Sequence, residues 1–343
     1  MSLELLTSPE QAAPILISAR TRAFELTRDL VNLVGQAGSR GELLAGINAT
    51  VLGRVAGGSI ESLDDAEWAA FRLLAREYAR IEAAAPPAAN TVVRAYSLVA
   101  SAHDLVLLES LVRQGRATEE ARLAAPESPV VKRFLGSLSE AGLSRLPETL
   151  RELGLRTAAK VLEAAPDTPL GVALDAEILV SFNAAYEGLK GTPAEQVLCG
   201  RLDIYSLRVA AGAAPLARNN PQLAEQIASR IKTCKLDAER LRSVLSEEDY
   251  YNALIQALAG NPYSGAAVEG PLPLPDAVVH AIRRSLRPVA EMYSLSDPVE
   301  EWFPAPVMEL LLLSVEDVSA LVTGLNMGLT REELPALLSI KPR

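Results

Sequence analysis

Few residues in this chain have types and spacing suited to catalysis. His103 and His280 are the only histidines, and neither belongs to an HExxH motif or a Cys/His cluster. Zinc takes about four close ligands, usually His or Cys, and none converge in the sequence. His103 beside Asp104 on a helical pattern reads as a surface or satisfied interior histidine rather than a base. No GxSxG, GxxxxGK[ST] or GxGxxG motif occurs. Gly35, Gly38 and Gly41 lack a preceding strand, so a phosphate loop is not expected there. Asp64 and Asp65 invite comparison with the acidic metal-binding motifs of all-α synthases. Those motifs need a further Asp on the same helix face and a partner motif elsewhere, so helix capping is the expected role here. The sequence thus predicts no catalytic residue, no cofactor and no metal, and a chain that neither binds nor hydrolyses nucleotide.

Three other acids recur in a pattern. Asp104 precedes Leu108 by four residues and Gly115 by eleven, and Asp317 precedes Leu321 and Gly328 at the same distances. Glu119–Glu120 and Glu332–Glu333 follow the two glycines at matching offsets. Asp203 with Leu207 forms a partial third copy. Each Asp lies within an apolar helical pattern. A single such acid would be read as facing solvent. Three at matching places suggest a shared structural task, such as anchoring a neighbouring helix end or pairing with Arg113 or Arg208, because a buried acid is costly unless paired. Four residues span about one helical turn, so each Leu should face the core with its Asp at the rim of that face. Gly115 and Gly328 should end their helices. A second echo pairs Val161–Ala173 with Ile255–Ala267, each a helix end followed by a Pro-containing turn.

The elements carrying these residues are helical. Apolar residues make up 49% of the chain, mostly Ala, Leu and Val, and aromatics only 4%, which favours an all-α fold. A length of 343 residues suffices for two or three domains. The expected division is 1–118, 119–218 and 219–343, three related helical domains of about a hundred residues around a pseudo-threefold axis. That repeat is too long for ordinary solenoids of about 20 to 50 residues. A net charge of −10 argues against nucleic acid. Cys199 and Cys234 imply no disulfide framework and suit a reducing compartment. The first residues show no charged-then-apolar signal segment. The longest apolar run, around Leu310–Leu313, is interrupted by Glu309 and falls short of the ~20 residues needed to span a bilayer. A soluble or peripheral chain without its own lipid anchor is expected.

In detail, Met1–Pro14 reads as a frayed start and Ile15–Val34 as a helix. Glu42–Leu52 and Asp65–Ala84 follow, and Thr91–Gln114 carries the first marked Asp. The second block comprises Val130–Leu138, Leu146–Leu153, Arg156–Ala164, Gly171–Leu189 and Pro193–Ala211. Asn219-Asn220-Pro221 is a turn and a candidate linker. Beyond it lie Leu223–Lys232, Asp237–Leu245, Asp249–Leu258, Val278–Glu291, Ala305–Leu325 and Glu332–Leu338. The prolines of Glu269–Pro275 predict an extended connection. Thr330 and Glu333 could form a capping box.

Taken in order, these motifs resemble one known family: the C/d family of central-stalk proteins, found in archaeal A-type and bacterial V-type ATPases and in the eukaryotic vacuolar enzyme. That family repeats an Asp-aliphatic-x-Asn-Leu helix. Asp104-Leu105-Val106-Leu107-Leu108, Asp203-Ile204-Tyr205-Ser206-Leu207 and Asp317-Val318-Ser319-Ala320-Leu321 are similar to it. Arg20 and Arg22 fall in a stretch like the family's opening Ala-Arg-x-Arg helix. Asn261-Pro262-Tyr263 resembles its Thr-Pro-Tyr, and Gly324–Leu329 its closing Gly-Lys-x-Asn-Gly-Leu. The motif Asn is replaced by Leu107, Ser206 and Ala320, and the closing Lys by Leu325, so the chain resembles a divergent member. The resemblance implies a non-catalytic central-stalk component shaped as a funnel between the rotary shaft and the membrane proteolipid ring. It would work at the cytoplasmic face in proton or sodium transport, with no small-molecule substrate and no nucleic acid. Its structural residues would be Arg20, Arg22, Asp104, Leu108, Asp203, Leu207, Asp317, Leu321 and Gly328. An unrelated helical adaptor, or an all-α enzyme with an acid-lined pocket, remains the alternative.

Overall fold

A computed structural model describes residues 9–36, 40–57, 59–114, 129–263, 275–330 and 332–340. Every regular element among them is helical, as the composition predicts. The first helix, α1 (Pro9–Gln36), begins earlier than the sequence suggests and runs through Pro14, the frayed start being helical from Pro9 onward. Its buried stripe includes Leu16, Ala19, Ala23, Leu26 and Leu30. The 42–52 stretch, a single helix by its pattern, divides into α2 (Arg40–Asn48) and α3 (Val51–Ala56), because Thr50 caps the second piece with its hydroxyl. In α4 (Leu63–Ala84) the N-cap is Ser62 and not Asp64 or Asp65; Asp65 instead completes the capping box from the N3 position.

Three pairs of consecutive long helices follow. Helix α4 packs on α5 (Asn90–Arg113). After α6 (Pro129–Ala141), α7 (Leu146–Glu152) and α8 (Arg156–Ala164), helix α9 (Leu170–Gly188) packs on α10 (Ala194–Ala217). Following α11 (Pro221–Ala228), α12 (Ala238–Ser243) and α13 (Tyr250–Leu258), helix α14 (Asp276–Tyr293) packs on α15 (Pro304–Asn326). The second member of each pair is 24, 24 and 23 residues long and bears one of the three marked acids. Asp203 sits about one turn nearer its helix start than the other two. Asn220 caps α11 and also donates to the Ala164 carbonyl at 2.7 Å, so the 219–221 turn is tied to α8. Residues of α11 and the turn at 244–246 fold back against α10.

Helix α15 is buried on nearly every side from Pro304 to Val315, against α1, α4, α5, α10 and α14. An all-round apolar helix has no solvent face to offer, so it becomes the centre of the fold. Its C-terminus is a Schellman motif: the Leu329 amide donates to Gly324 and the Gly328 amide to Leu325, with Gly328 at φ 77°. A side chain at Gly328 would strain that left-handed turn. Gly200 has a different reason: a Cβ there would lie 2.4 Å from Leu286, so it permits close approach of α10 and α14. The last helix expected from the sequence is only a 3₁₀ turn, Leu334–Leu337. Glu333 accepts from the Thr330 amide, half of a capping box. Gly38, Gly115, Glu119–Glu120 and the Glu269–Leu274 part of the proline-rich connection lie outside the described residues.

Among the described residues one stretch, Pro87–Arg113, is long and apolar enough by length and composition to cross a membrane, and its apolar window is mostly buried inside the fold.

Candidate functional site: the junction of three long helices

The marked leucines Leu108, Leu207 and Leu321 all face the core. Their acids go further inside than the rim position expected for them: Asp104 is buried, and Asp203 and Asp317 have no exposure at all. For Asp203 and Asp317 the reason is backbone anchoring. Asp203 accepts the amides of Cys234 (2.8 Å) and Lys235 (3.1 Å) and the Tyr263 hydroxyl (3.0 Å). Asp317 accepts the Ser339 amide (2.8 Å) and hydroxyl (2.7 Å). Each of these two acids therefore fastens a downstream segment that has no helix of its own to satisfy its amides, and such charge-assisted bonds compensate the cost of burial. Burial still pushes the Asp203 and Asp104 carboxyls above their usual range. Asp104 has His103 Nδ1 3.6 Å away.

The arginine partners differ from those expected. Arg113 pairs with Glu109 and Arg208 with Asp175. Asp317 instead binds Arg283 (2.6 Å) and Arg287 (3.0 Å), both on α14. Arg287 also donates to the Ser339 hydroxyl (2.6 Å) and to Thr27 of α1 (3.0 Å), so one guanidinium joins three elements. Arg20 and Arg22 likewise tie α1 down: Arg20 donates to the Ser294 carbonyl at 2.7 Å, and Arg22 pairs with the buried Glu77 of α4 at 2.7 Å.

The most buried cluster is one that motif spacing does not reveal. Arg201 on α10, with no exposed surface, makes a forked contact to Glu309 (3.0 and 2.8 Å) and a second to Glu316 (2.8 and 2.9 Å), both on α15. Tyr96 of α5 donates to Glu309 at 2.8 Å. Counted from the marked acids, Tyr96 and Glu309 each stand eight residues earlier, so equivalent positions of α5 and α15 meet. Burial pushes the Glu316 carboxyl up, but Arg201 and Arg283 outweigh it and hold the group below its ordinary value. Tyr78 donates to the Met308 carbonyl at 2.6 Å and continues an aromatic row through Tyr96, Phe182 and Tyr205.

Beside this cluster lies a cavity of about 890 Å³. All three marked helices line it, and they do so in register: Val106, Tyr205 and Ser319 each stand two residues after their Asp. Leu107 and Ala320, where the resembled family has its Asn, also face it, while Ser206 turns away to donate to the Lys232 carbonyl at 2.6 Å. The acids at the wall are Glu67, Asp175, Asp276 and Glu316. Ser319 donates to Glu67, Arg208 to Asp175, and Arg201 to Glu316. No group of three or more His, Cys, Asp or Glu side chains is arranged to hold a metal among the described residues.

His280 also borders the cavity, is 7% exposed, and has no well-aligned partner for either ring nitrogen. Burial, with Arg283 and Arg284 nearby, pushes its pKa down to about 3. A depressed histidine stays neutral in the fold while the unfolded chain takes up a proton below pH ~6.5. Stability from this residue is therefore lost as pH falls through the window between ~6.5 and about 3. Between pH 6.5 and 5 the loss is expected to be about 2 kcal/mol, read as a falling urea midpoint. In His280→Gln that acid-side slope should flatten; an unchanged slope would remove His280 from the explanation.

No family model matches this chain, and no curated protein matches it.

Proposed function

We propose that the chain is a non-catalytic central-stalk component of an A/V-type ATPase, a divergent member of the C/d family. It would couple the rotary shaft to the proteolipid ring. The observation that carries this reading is the registered lining of one cavity by Val106, Tyr205 and Ser319 on three helices of nearly equal length. Equivalent residues converging on one space are what triplication about a funnel axis requires. The recurrence of a long helix pair ending in each Asp-bearing helix supports the same reading. In this proposal the units are 1–118, 119–218 and 219–343. They are held together by side chains that cross between them, Tyr96 and Arg201 to Glu309 above all. A body that transmits torque has to resist shear, and fully paired buried charges at the junction fix its register. Its partners would be the shaft proteins and the proteolipid ring, reached at the cytoplasmic face without a lipid anchor of its own.

A second reading, an all-α enzyme, draws on the four carboxylates at the cavity wall. It is the less favoured because Glu67, Asp175 and Glu316 already have protein donors. The test is an affinity pull-down of the tagged chain from gently solubilised membranes, followed by mass spectrometry. Shaft and proteolipid components of a rotary ATPase are expected at near-stoichiometric yield. Recovery of the chain without any rotary ATPase component overturns the proposal.

A further inference from the structure

We propose that Cys199 and Cys234 form a reversible dithiol–disulfide site that reacts with small-molecule disulfides. They are the only cysteines in the chain and far apart in sequence, yet they meet where the 230–236 segment is tied to α10, and each thiol perturbs the ionisation of the other. Both are partly exposed, so a small oxidant can reach them. The backbone sets up their meeting. Cys199 stands one turn before Asp203 on α10, and Asp203 accepts the Cys234 amide at 2.8 Å. The same segment is held by Ser206 on the Lys232 carbonyl (2.6 Å) and by Arg242 on the Ile231 carbonyl (2.7 Å). Disulfide geometry is narrow, so two cysteines seldom satisfy it unless their backbones are already fixed side by side. Here four hydrogen bonds do that fixing independently of the sulfurs.

The two thiols are not equivalent. The interaction with the Cys199 thiol holds Cys234 below the ordinary thiol range against its burial, while the Tyr186 hydroxyl beside it donates to Glu195. Cys199, on the other side of that interaction and itself partly buried, is pushed up. Glu195 and Asp203 face the pair as well, and Lys235 lies beside Cys199. The thiolate is the attacking form, so Cys234 is the nucleophile and Cys199 the resolving thiol. In the first step the Cys234 thiolate attacks one sulfur of a disulfide RSSR. A mixed disulfide forms, and the expelled thiolate takes a proton from water. Cys199 then gives up its proton to water, attacks the Cys234 sulfur and expels the second thiolate, which is protonated in turn. The sum is two protein thiols and RSSR giving one intrachain disulfide and two RSH. The product bond would lock the 230–236 segment onto α10 beside Asp203.

The full-length chain equilibrated with oxidised and reduced glutathione in varied ratio, then acid-quenched and alkylated, tests this. Intact mass should fall by two hydrogens, and a non-reducing peptide map should join Cys199 to Cys234. Cys199→Ser should stop at a single glutathionyl adduct, and Cys234→Ser should react roughly tenfold more slowly than Cys199→Ser. A wild-type chain that keeps two alkylatable thiols at every ratio, or that takes two glutathionyl groups without cross-linking, overturns the proposal. Equal rates in the two variants would overturn the assignment of the nucleophile.

Discussion

Arg201→Ala is expected to lower folding stability by about 3–5 kcal/mol, the cost of leaving a buried ionic partner uncompensated. The arginine is fully buried and holds two carboxylates through its forked donors. Its removal leaves Glu309 with only the Tyr96 hydroxyl, while Glu316 keeps Arg283 at 3.1 Å. The loss therefore falls mainly on Glu309, which has no exposure through which water could replace the guanidinium. Arg201→Lys should be intermediate, because an ammonium keeps the charge but cannot fork to two carboxylates. Arg201→Met with Glu309→Leu should recover much of the loss, since a buried pair can often be exchanged for apolar side chains of similar volume. Urea unfolding followed by circular dichroism reads all three. A single-alanine variant as stable as the native chain would show that the pair is not structurally required. A double variant as unstable as the alanine single would show that the uncompensated Glu309 is not the source of the loss, and would place it in the severed contact to Glu316.

The sequence makes this cluster readable only in part. Helical periodicity marks α5, α9, α10 and α15 to within a few residues of their ends apart from the C-terminus of α10, because long Ala/Leu-rich runs leave few competing conformations. Pattern alone extends the C-terminal turn into a helix, where Pro335 and the anchoring of Ser339 impose a tighter coil. The division of 42–52 is invisible to pattern because Thr50 acts as a cap only once the chain has turned there.

Asp203 and Asp317 act as the anchors that the pattern suggests, whereas Asp104 has His103 beside it. The depth of the marked acids is not legible, because helix spacing gives a face and not a distance from solvent. By pattern, Glu309 merely interrupts an apolar run. A lone carboxylate within Pro306–Val315 is better understood as a signal that a cation must reach it from another helix. Arg201, which shares its buried stretch of α10 with Asp203 but is not paired with it, is the complementary signal. Neither names its partner, since the pairing depends on how α10 crosses α15. Arg283 and Arg287 carry the same lesson: four residues apart, they share a face of α14, but only the packing of α14 on α15 shows that Asp317 receives both.

Asp317→Ala is the second change expected to be severe, again about 3–5 kcal/mol, for a related but separable reason. The carboxylate accepts from Arg283, Arg287 and both the amide and hydroxyl of Ser339, and it is wholly buried. Losing it leaves two arginines close together with less compensation, and it releases the turn that closes the fold after α15. The damage should therefore have an address. Hydrogen exchange should rise first in residues 332–340, which would then be held by Arg284 on the carbonyls of Pro335, Ala336 and Leu338 and by Arg287 on the Ser339 hydroxyl. Asp317→Asn keeps an acceptor but no charge, and should lose about 1.5–3 kcal/mol with a smaller rise in exchange. Asp203→Asn supplies the internal comparison. Its carboxylate anchors Cys234 and Lys235 and receives Tyr263, so its exchange signature should appear at 230–236 and leave 332–340 protected. If both variants instead loosen the whole chain uniformly, the anchoring role fails and the acids act only through global stability. If Asp317→Asn leaves both the unfolding midpoint and the protection of 332–340 unchanged, its hydrogen bonds hold nothing that the surrounding packing does not hold already.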